Sequence, residues 1–160
     1  MVVGRFQPLH LGHVRMLEFV ASRFDYLVVG VGSSNRAGLL DNPFSFEERL
    51  KMIERSLKLG VGYEVVGIPD FDDDDKWVNW IKKNIVFDVY CGNTEHELGL
   101  FRKAGFKVKE VPFFNRDVYS ATEVRKRIIE GGDWRSIVPE GAAGVLLECG
   151  GVERIKSLNR

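Results

Sequence analysis

Short apolar runs alternate along the chain with segments whose apolar residues repeat every three or four positions, and this alternation restricts the fold more than any other feature. A short apolar run suits a strand buried on both faces, and a helical-period segment between two such runs suits the crossover that a parallel pair requires. The fold class is therefore α/β. Met1–Gly4 reads as a first strand, followed by a helix from near Gly12 with Val14, Leu17, Val20 and Phe24 on one face. Asp25–Gly32 (DYLVVGVG) is a second, buried strand. Ser45 and Glu48 form an S-x-x-E capping box that opens a helix carrying Phe46, Leu50, Ile53 and Leu57, with Gly60 as its stop. Tyr63–Ile68, Phe87–Tyr90 and Phe106–Val111 read as strands three to five, and a helix from Thr94 to Ala104, capped by Thr94 with Glu97, separates the last two. Ser120 and Glu123 mark another helix with Val124, Ile128 and Ile129 on its buried side, ended by Gly131-Gly132, and Ala142–Glu148 forms a short helical C-terminal segment. The expectation is a Rossmann-like, doubly wound parallel sheet of about five strands in one domain over residues 1–160. Such sheets bind ligands beyond the carboxyl ends of their strands, where the strand order reverses. The loops after strands one, four and five therefore become the places to search.

Composition excludes several classes of function. Lys+Arg and Asp+Glu both number 23, so the broad basic field of a protein that grips long nucleic acid is absent and any anion site must be local. With 44% hydrophobic and 29% charged residues the chain fits neither a disordered segment nor a membrane protein. MVVGRFQP lacks the apolar core of a signal peptide, no apolar run approaches spanning length, and a cytoplasmic location is expected. Cys91 and Cys149 show neither CxxC spacing nor a disulfide pattern and read as reduced thiols.

The turn after the first strand reads G-R-F-Q-P-L-H-L-G-H and holds neither GxGxxG nor GxxxxGK[ST]. His10 and His13 instead sit three apart at the mouth of a helix, with Gly12 between them allowing close approach to the backbone. A helix N-terminus offers free N–H groups and the positive end of its dipole, which favour phosphate oxygens, and two imidazoles add directed donors. The plain alternative is a pair of capping histidines. Zinc is the weaker reading, because no third His or Cys lies at ligand spacing.

Near the other end, Ser120 and Thr122 open a helix with Arg125 one turn in, a set suited to the β- and γ-phosphates of a nucleotide. An ordinary capping box followed by a solvated Arg is the alternative. Taken together, H-L-G-H and Y-S-A-T-E-V-R resemble the HxGH and (I)SxTxxR motifs of the nucleotidyltransferase superfamily, in the same order and at similar separation. Ala121 stands where many members carry Ser. Between the motifs, G-S-S-N at 32–35, N-P-F-S-F-E-E-R at 42–49, K-W-V at 76–78, C-G-N at 91–93 and, beyond them, G-V-E-R-I at 151–155 resemble the archaeal nicotinamide-nucleotide adenylyltransferases over nearly the whole chain.

That resemblance implies transfer of AMP from ATP to nicotinamide mononucleotide (NMN), with NAD and pyrophosphate as products. It implies His10, His13 and Arg125 as catalytic residues, and Arg5, Gly12, Gly92, Asn93, Ser120 and Thr122 on ATP and its phosphates. Asn42, Arg49 and Trp77 fall to NMN, with Trp77 as the aromatic that stacks on the nicotinamide ring; an indole face attracts a cationic ring. Trp77 packing a helix onto the sheet is the competing reading. Asp70 and Asp72–Asp75 read as a solvated loop, one of whose carboxylates could face the nicotinamide or a metal. Mg²⁺ is the implied cofactor, bound mainly through substrate phosphates and water. A homo-oligomer, with hexamers known in the family, is implied, and neither nucleic acid nor membrane is an expected partner. Three rival readings stay open: the same chemistry on nicotinic acid mononucleotide, FMN or phosphopantetheine, a non-catalytic nucleotide-binding module, and a relative of the class I aminoacyl-tRNA synthetases. The last is disfavoured by the short chain, the neutral charge and the missing KMSKS-type loop.

Overall fold

The computed structural model describes residues 1–160. All five strands are parallel. β1 (Val2–Gly4), β2 (Tyr26–Val31) and β3 (Gly62–Gly67) form one ladder, and β4 (Val89–Gly92) with β5 (Lys107–Glu110) forms a second. The Cys91 N–H donates to the Met1 carbonyl at 2.8 Å and sets β4 beside β1. The spatial order is thus β3-β2-β1-β4-β5, and it reverses between β1 and β4. The loops after those two strands flank the switch point, the position such a sheet offers to a ligand.

Alternation along β2 builds a core on each side. Leu27, Val29 and Val31 pack with Leu17 and Val20 of α1 (Leu11–Ala21), Met52 and Ile53 of α2 (Phe46–Ser56), and Val124 and Ile128 of α5 (Ala121–Glu130). Val28 points to the other face, where Ile81 of α3 (Asp74–Asn84) and Leu98 and Phe101 of α4 (Glu95–Lys103) close a second core with Ile68 and Tyr90. After a 3-10 turn at Arg135–Ile137, helices α6 (Glu140–Glu148) and α7 (Gly151–Leu158) complete the first layer. No helix is long and apolar enough to cross a membrane.

Residues 70–75 are not a plain solvated loop, because Asp73 caps α3, its carboxylate accepting from the Lys76 N–H at 2.8 Å. Asp74 and Asp75 then occupy the first turn, where the dipole favours negative charge, so an acidic run starts the helix. The fourth strand lies two residues later than Phe87–Tyr90, since Phe87 stacks on Phe106 and meets Phe101 edge-on without entering the ladder. The second helix stops at Ser56, before Gly60, because Leu57 turns extended to bury its side chain. The C-terminal segment is two helices, broken where Gly150 takes φ +64°.

Candidate active site

The turn after β1 delivers the chain to α1 with His10 as its N-cap. The His13 N–H donates to His10 Nδ1 at 3.3 Å, and the His10 N–H donates to His13 Nδ1 at 3.4 Å. This is a reciprocal capping box made of two imidazoles, whose rings stack 3.6 Å apart. An imidazole whose Nδ1 accepts a hydrogen bond carries its proton on Nε2. The capping reading of the pair therefore holds at Nδ1, and the Nε2–H of each ring remains as a donor.

Burial pushes His10 down to about 4. Burial and the neighbouring ring hold His13 well below the ordinary imidazole range. Both rings are neutral at pH 7 and act as donors without net charge. The unfolded chain takes protons on these residues near the usual 6.5, whereas the folded protein resists them well below that, His10 until near 4, so stability falls as pH drops below 6.5. The urea midpoint is expected to decrease between pH 7 and pH 5.5, and a midpoint flat over that interval would contradict buried neutral imidazoles.

Gly12 is required by contact. A Cβ there would stand 2.9 Å from the Tyr119 Cβ and 3.0 Å from His10 Nδ1. The two distant motifs thus touch through a glycine. A cleft of about 190 Å³ lies between them, lined by His10, Gly12, His13, Asn93, Ser120 and Arg116 among others. Ser120 caps α5, its Oγ accepting from the Glu123 N–H at 3.1 Å, which leaves the hydroxyl proton free to donate. Gly92, at the end of β4, lets Tyr90 lie close, for a Cβ would meet that ring at 2.8 Å. Thr94 also borders the cleft and donates to Glu97 Oε2 at 3.0 Å.

Thr122 and Arg125 do not line this cleft; they line a separate depression with Asp41 and Lys126. Arg125 is buried, donates to the Gln7 carbonyl at 2.7 Å and lies 3.6 Å from the Asp41 carboxylate. Arg5 is exposed beside it, close enough to disfavour a second positive charge. Asn42 is 7% exposed with its Oδ1 unpartnered. Trp77 stands on α3 and is half-buried, its ring meeting the edge of Phe101 at 5.7 Å. Asp70 accepts from Ser33 Oγ at 2.7 Å and pairs with Arg36 at 2.6 Å, tying the loop after β2 to the loop after β3.

Arg49 is fully buried. Its guanidinium donates to the carbonyls of Ser45 (3.1 Å), Arg5 (2.9 Å), Gly32 (2.7 Å) and Ser33 (3.0 Å). It joins three loops from within rather than opening onto the cleft. Gln7, which sequence reasoning passed over, does similar work from its side chain: its Nε2 donates to the Phe44 carbonyl and its Oε1 accepts the Phe44 N–H, both at 2.9 Å. A buried amide leaves no periodicity to find it by. Met16, Phe113, Phe114 and Tyr119 also stand on the cleft wall.

The cytidylyltransferase-like family matches residues 1–127. The nicotinamide-nucleotide adenylyltransferase of Thermococcus onnurineus is 40% identical over 98% of this chain and 86% of its own. That of Archaeoglobus fulgidus is 37% identical, over 98% and 95%. The chain belongs to the cytidylyltransferase-like family, beside the archaeal nicotinamide-nucleotide adenylyltransferases. A bifunctional NMN adenylyltransferase/ADP ribose pyrophosphatase from Francisella tularensis, crystallised with AMP and a manganese ion, shares the fold with a TM-score of 0.74 at 22% identity. This chain covers half of that one and is itself covered over 98%. The cytidylyltransferase-like match spans both motifs and every residue lining the cleft, and it ends before α6 and α7.

Proposed function

We infer that the protein transfers AMP from ATP to NMN, forming NAD and pyrophosphate. One observation carries this reading: His10 and His13, each with Nδ1 engaged and Nε2–H left to donate, line a single cleft with Ser120 at the switch point of the sheet. The archaeal relatives' name supplies the acceptor.

An NMN phosphate oxygen attacks the α-phosphorus of ATP in line, the new O–P bond forms, and the bond to the bridging oxygen breaks as pyrophosphate departs with its electron pair. The nucleophile is ionised at neutral pH, so the protein needs no general base. Its work is positioning and stabilising charge on the transferring group. His10 and His13 donate to α- and β-phosphate oxygens, while Ser120, Thr122 and Arg125 hold the β- and γ-phosphates with Arg5 alongside. Gly12, Gly92 and Asn93 admit the nucleotide backbone and ribose. Asn42 and Trp77 address NMN, and Arg49 supports that side by fixing the loops around it. The cleft wall carries no carboxylate, and no group of three His, Cys, Asp or Glu side chains converges anywhere in the chain. Mg²⁺ fits this site as a partner of the substrate phosphates and water, supplying charge neutralisation there. Assembly into a homo-oligomer belongs to the same reading, and sedimentation velocity measures it.

The decisive assay follows pyrophosphate release with ATP, Mg²⁺ and, in turn, NMN, nicotinic acid mononucleotide, FMN and phosphopantetheine. Release with NMN supports the reading, and release with FMN or phosphopantetheine alone overturns the acceptor. Silence with all four overturns the reaction. Trp77→Ala is expected to raise KM for NMN by about tenfold, the scale of one lost aromatic stack, with kcat changed far less. Trp77→Phe should recover most of it. An unchanged KM assigns Trp77 to packing on Phe101.

A further inference from the structure

The segment that clamps Gln7 is itself held by the C-terminal helix, outside the span that the family match covers. Arg154 of α7 forms a two-pronged pair with Glu48, NH1 to Oε2 at 2.7 Å and NH2 to Oε1 at 2.8 Å. The same guanidinium donates to the Pro43 carbonyl at 3.0 Å and to the Cys149 carbonyl at 3.1 Å, and lies over the Phe44 ring. Glu48 in turn accepts the Ser45 N–H at 2.9 Å and completes the cap of α2. Gly151 brings α7 directly onto Phe44, because a Cβ there would come within 2.6 Å of that ring.

Phe44 is fully buried and gives both its backbone N–H and its carbonyl to the Gln7 amide. The Gln7 carbonyl then fixes Arg125 at 2.7 Å. A continuous chain of contacts therefore runs from α7 through Pro43–Ser45 and Gln7 to the guanidinium assigned to the leaving phosphates. Planar, two-pronged Arg–carboxylate geometry fixes direction as well as distance, which a lysine cannot reproduce.

We propose that Arg154 is a positioning residue for nucleotidyl transfer, acting through Glu48, Phe44 and Gln7 to hold Arg125 in the orientation the leaving pyrophosphate requires. It touches no substrate. The proposal rests on the role given to Arg125 under the proposed function, and the wild-type assay separates the two: an inactive wild type defeats that function, whereas an active wild type leaves Arg154 to be judged alone.

Arg154→Ala, Arg154→Lys, Glu48→Gln, Arg125→Ala and the double variant Arg125→Ala/Arg154→Ala are assayed with ATP, Mg²⁺ and NMN, at a temperature where each is folded by circular dichroism. Small misplacements of a charge-stabilising group cost roughly 10- to 100-fold in rate. Arg154→Ala is expected to lower kcat about tenfold while KM for NMN stays within about twofold, a split that general loosening of the acceptor site would not give. Arg154→Lys should fall between wild type and Arg154→Ala. Glu48→Gln keeps an acceptor for the Ser45 N–H while removing the charge pair, and it should reproduce the kcat loss; it carries the test if Arg154→Ala does not fold. Adding Arg154→Ala to Arg125→Ala should cost less than about twofold more, because both changes remove one function. Wild-type kcat in Arg154→Ala or Glu48→Gln, or losses that multiply in the double variant, would overturn the proposal.

Discussion

His13→Ala is expected to lower kcat for NAD formation by about 100-fold or more, the usual scale for removing one donor aimed at developing charge. The geometry gives this prediction its sharpness. His13 supplies Nδ1 to the cap of α1 and Nε2–H to the cleft, so an alanine removes both, and the two losses must be told apart. Losing half of a capping box costs about 1 kcal/mol of stability, which shows as a modest fall in Tm. Loss of the donor shows in kcat at temperatures where the variant is still folded. His13→Asn can keep a side-chain acceptor for the His10 N–H while shortening the donor's reach, so it should recover Tm more than kcat. Because burial keeps both imidazoles neutral at neutral pH, the rate should show no inflection from their ionisation between pH 6 and pH 8. A His13→Ala kcat within a few-fold of wild type would remove the histidine pair from the chemistry.

The sheet and the histidine pair that lines the cleft were legible for the same reason: each leaves a local signature. β2 is a run of Leu27, Val28, Val29 and Val31 that nothing but a strand with two buried faces explains, and His10 and His13 are spaced by one helical turn. Helix α3 was harder, because its apolar residues are only Trp77, Val78, Trp80 and Ile81 behind four aspartates. Charge alone suggested solvent, whereas the dipole makes those aspartates a start signal. Gln7, Arg49 and Arg154 were illegible as supports. Each acts through backbone carbonyls or single long-range pairs separated by tens of residues, and neither periodicity nor spacing records such partners. Arg49 looked like a charge free to meet a phosphate, and only tertiary structure shows where its donors point.

Arg49→Ala is expected to remove most of the protein's stability, more than about 4 kcal/mol where a domain of this kind holds roughly 5–15 kcal/mol in all. Arg49 is 0% exposed, and four of its five N–H groups meet carbonyls belonging to the loop after β1, the loop after β2 and the cap of α2. Truncation opens a cavity and strands those acceptors together, and each buried acceptor left alone costs about 1–3 kcal/mol. Burial lowers the guanidinium only to about 10, so the group is charged at neutral pH and its bonds are of the stronger, charge-assisted kind. Arg49→Lys tests the same point with the charge retained. An ammonium is a point donor that cannot span carbonyls on opposite sides of a planar fork, and its loss should lie between wild type and alanine. The measurement is the free energy from urea unfolding, with ATP binding to the folded fraction as its companion. If the alanine variant loses less than about 1 kcal/mol, water replaces the guanidinium at those carbonyls. In that case Arg49 regains its place as a candidate contact for NMN, and the raised KM for NMN that such a contact demands becomes the next quantity to measure.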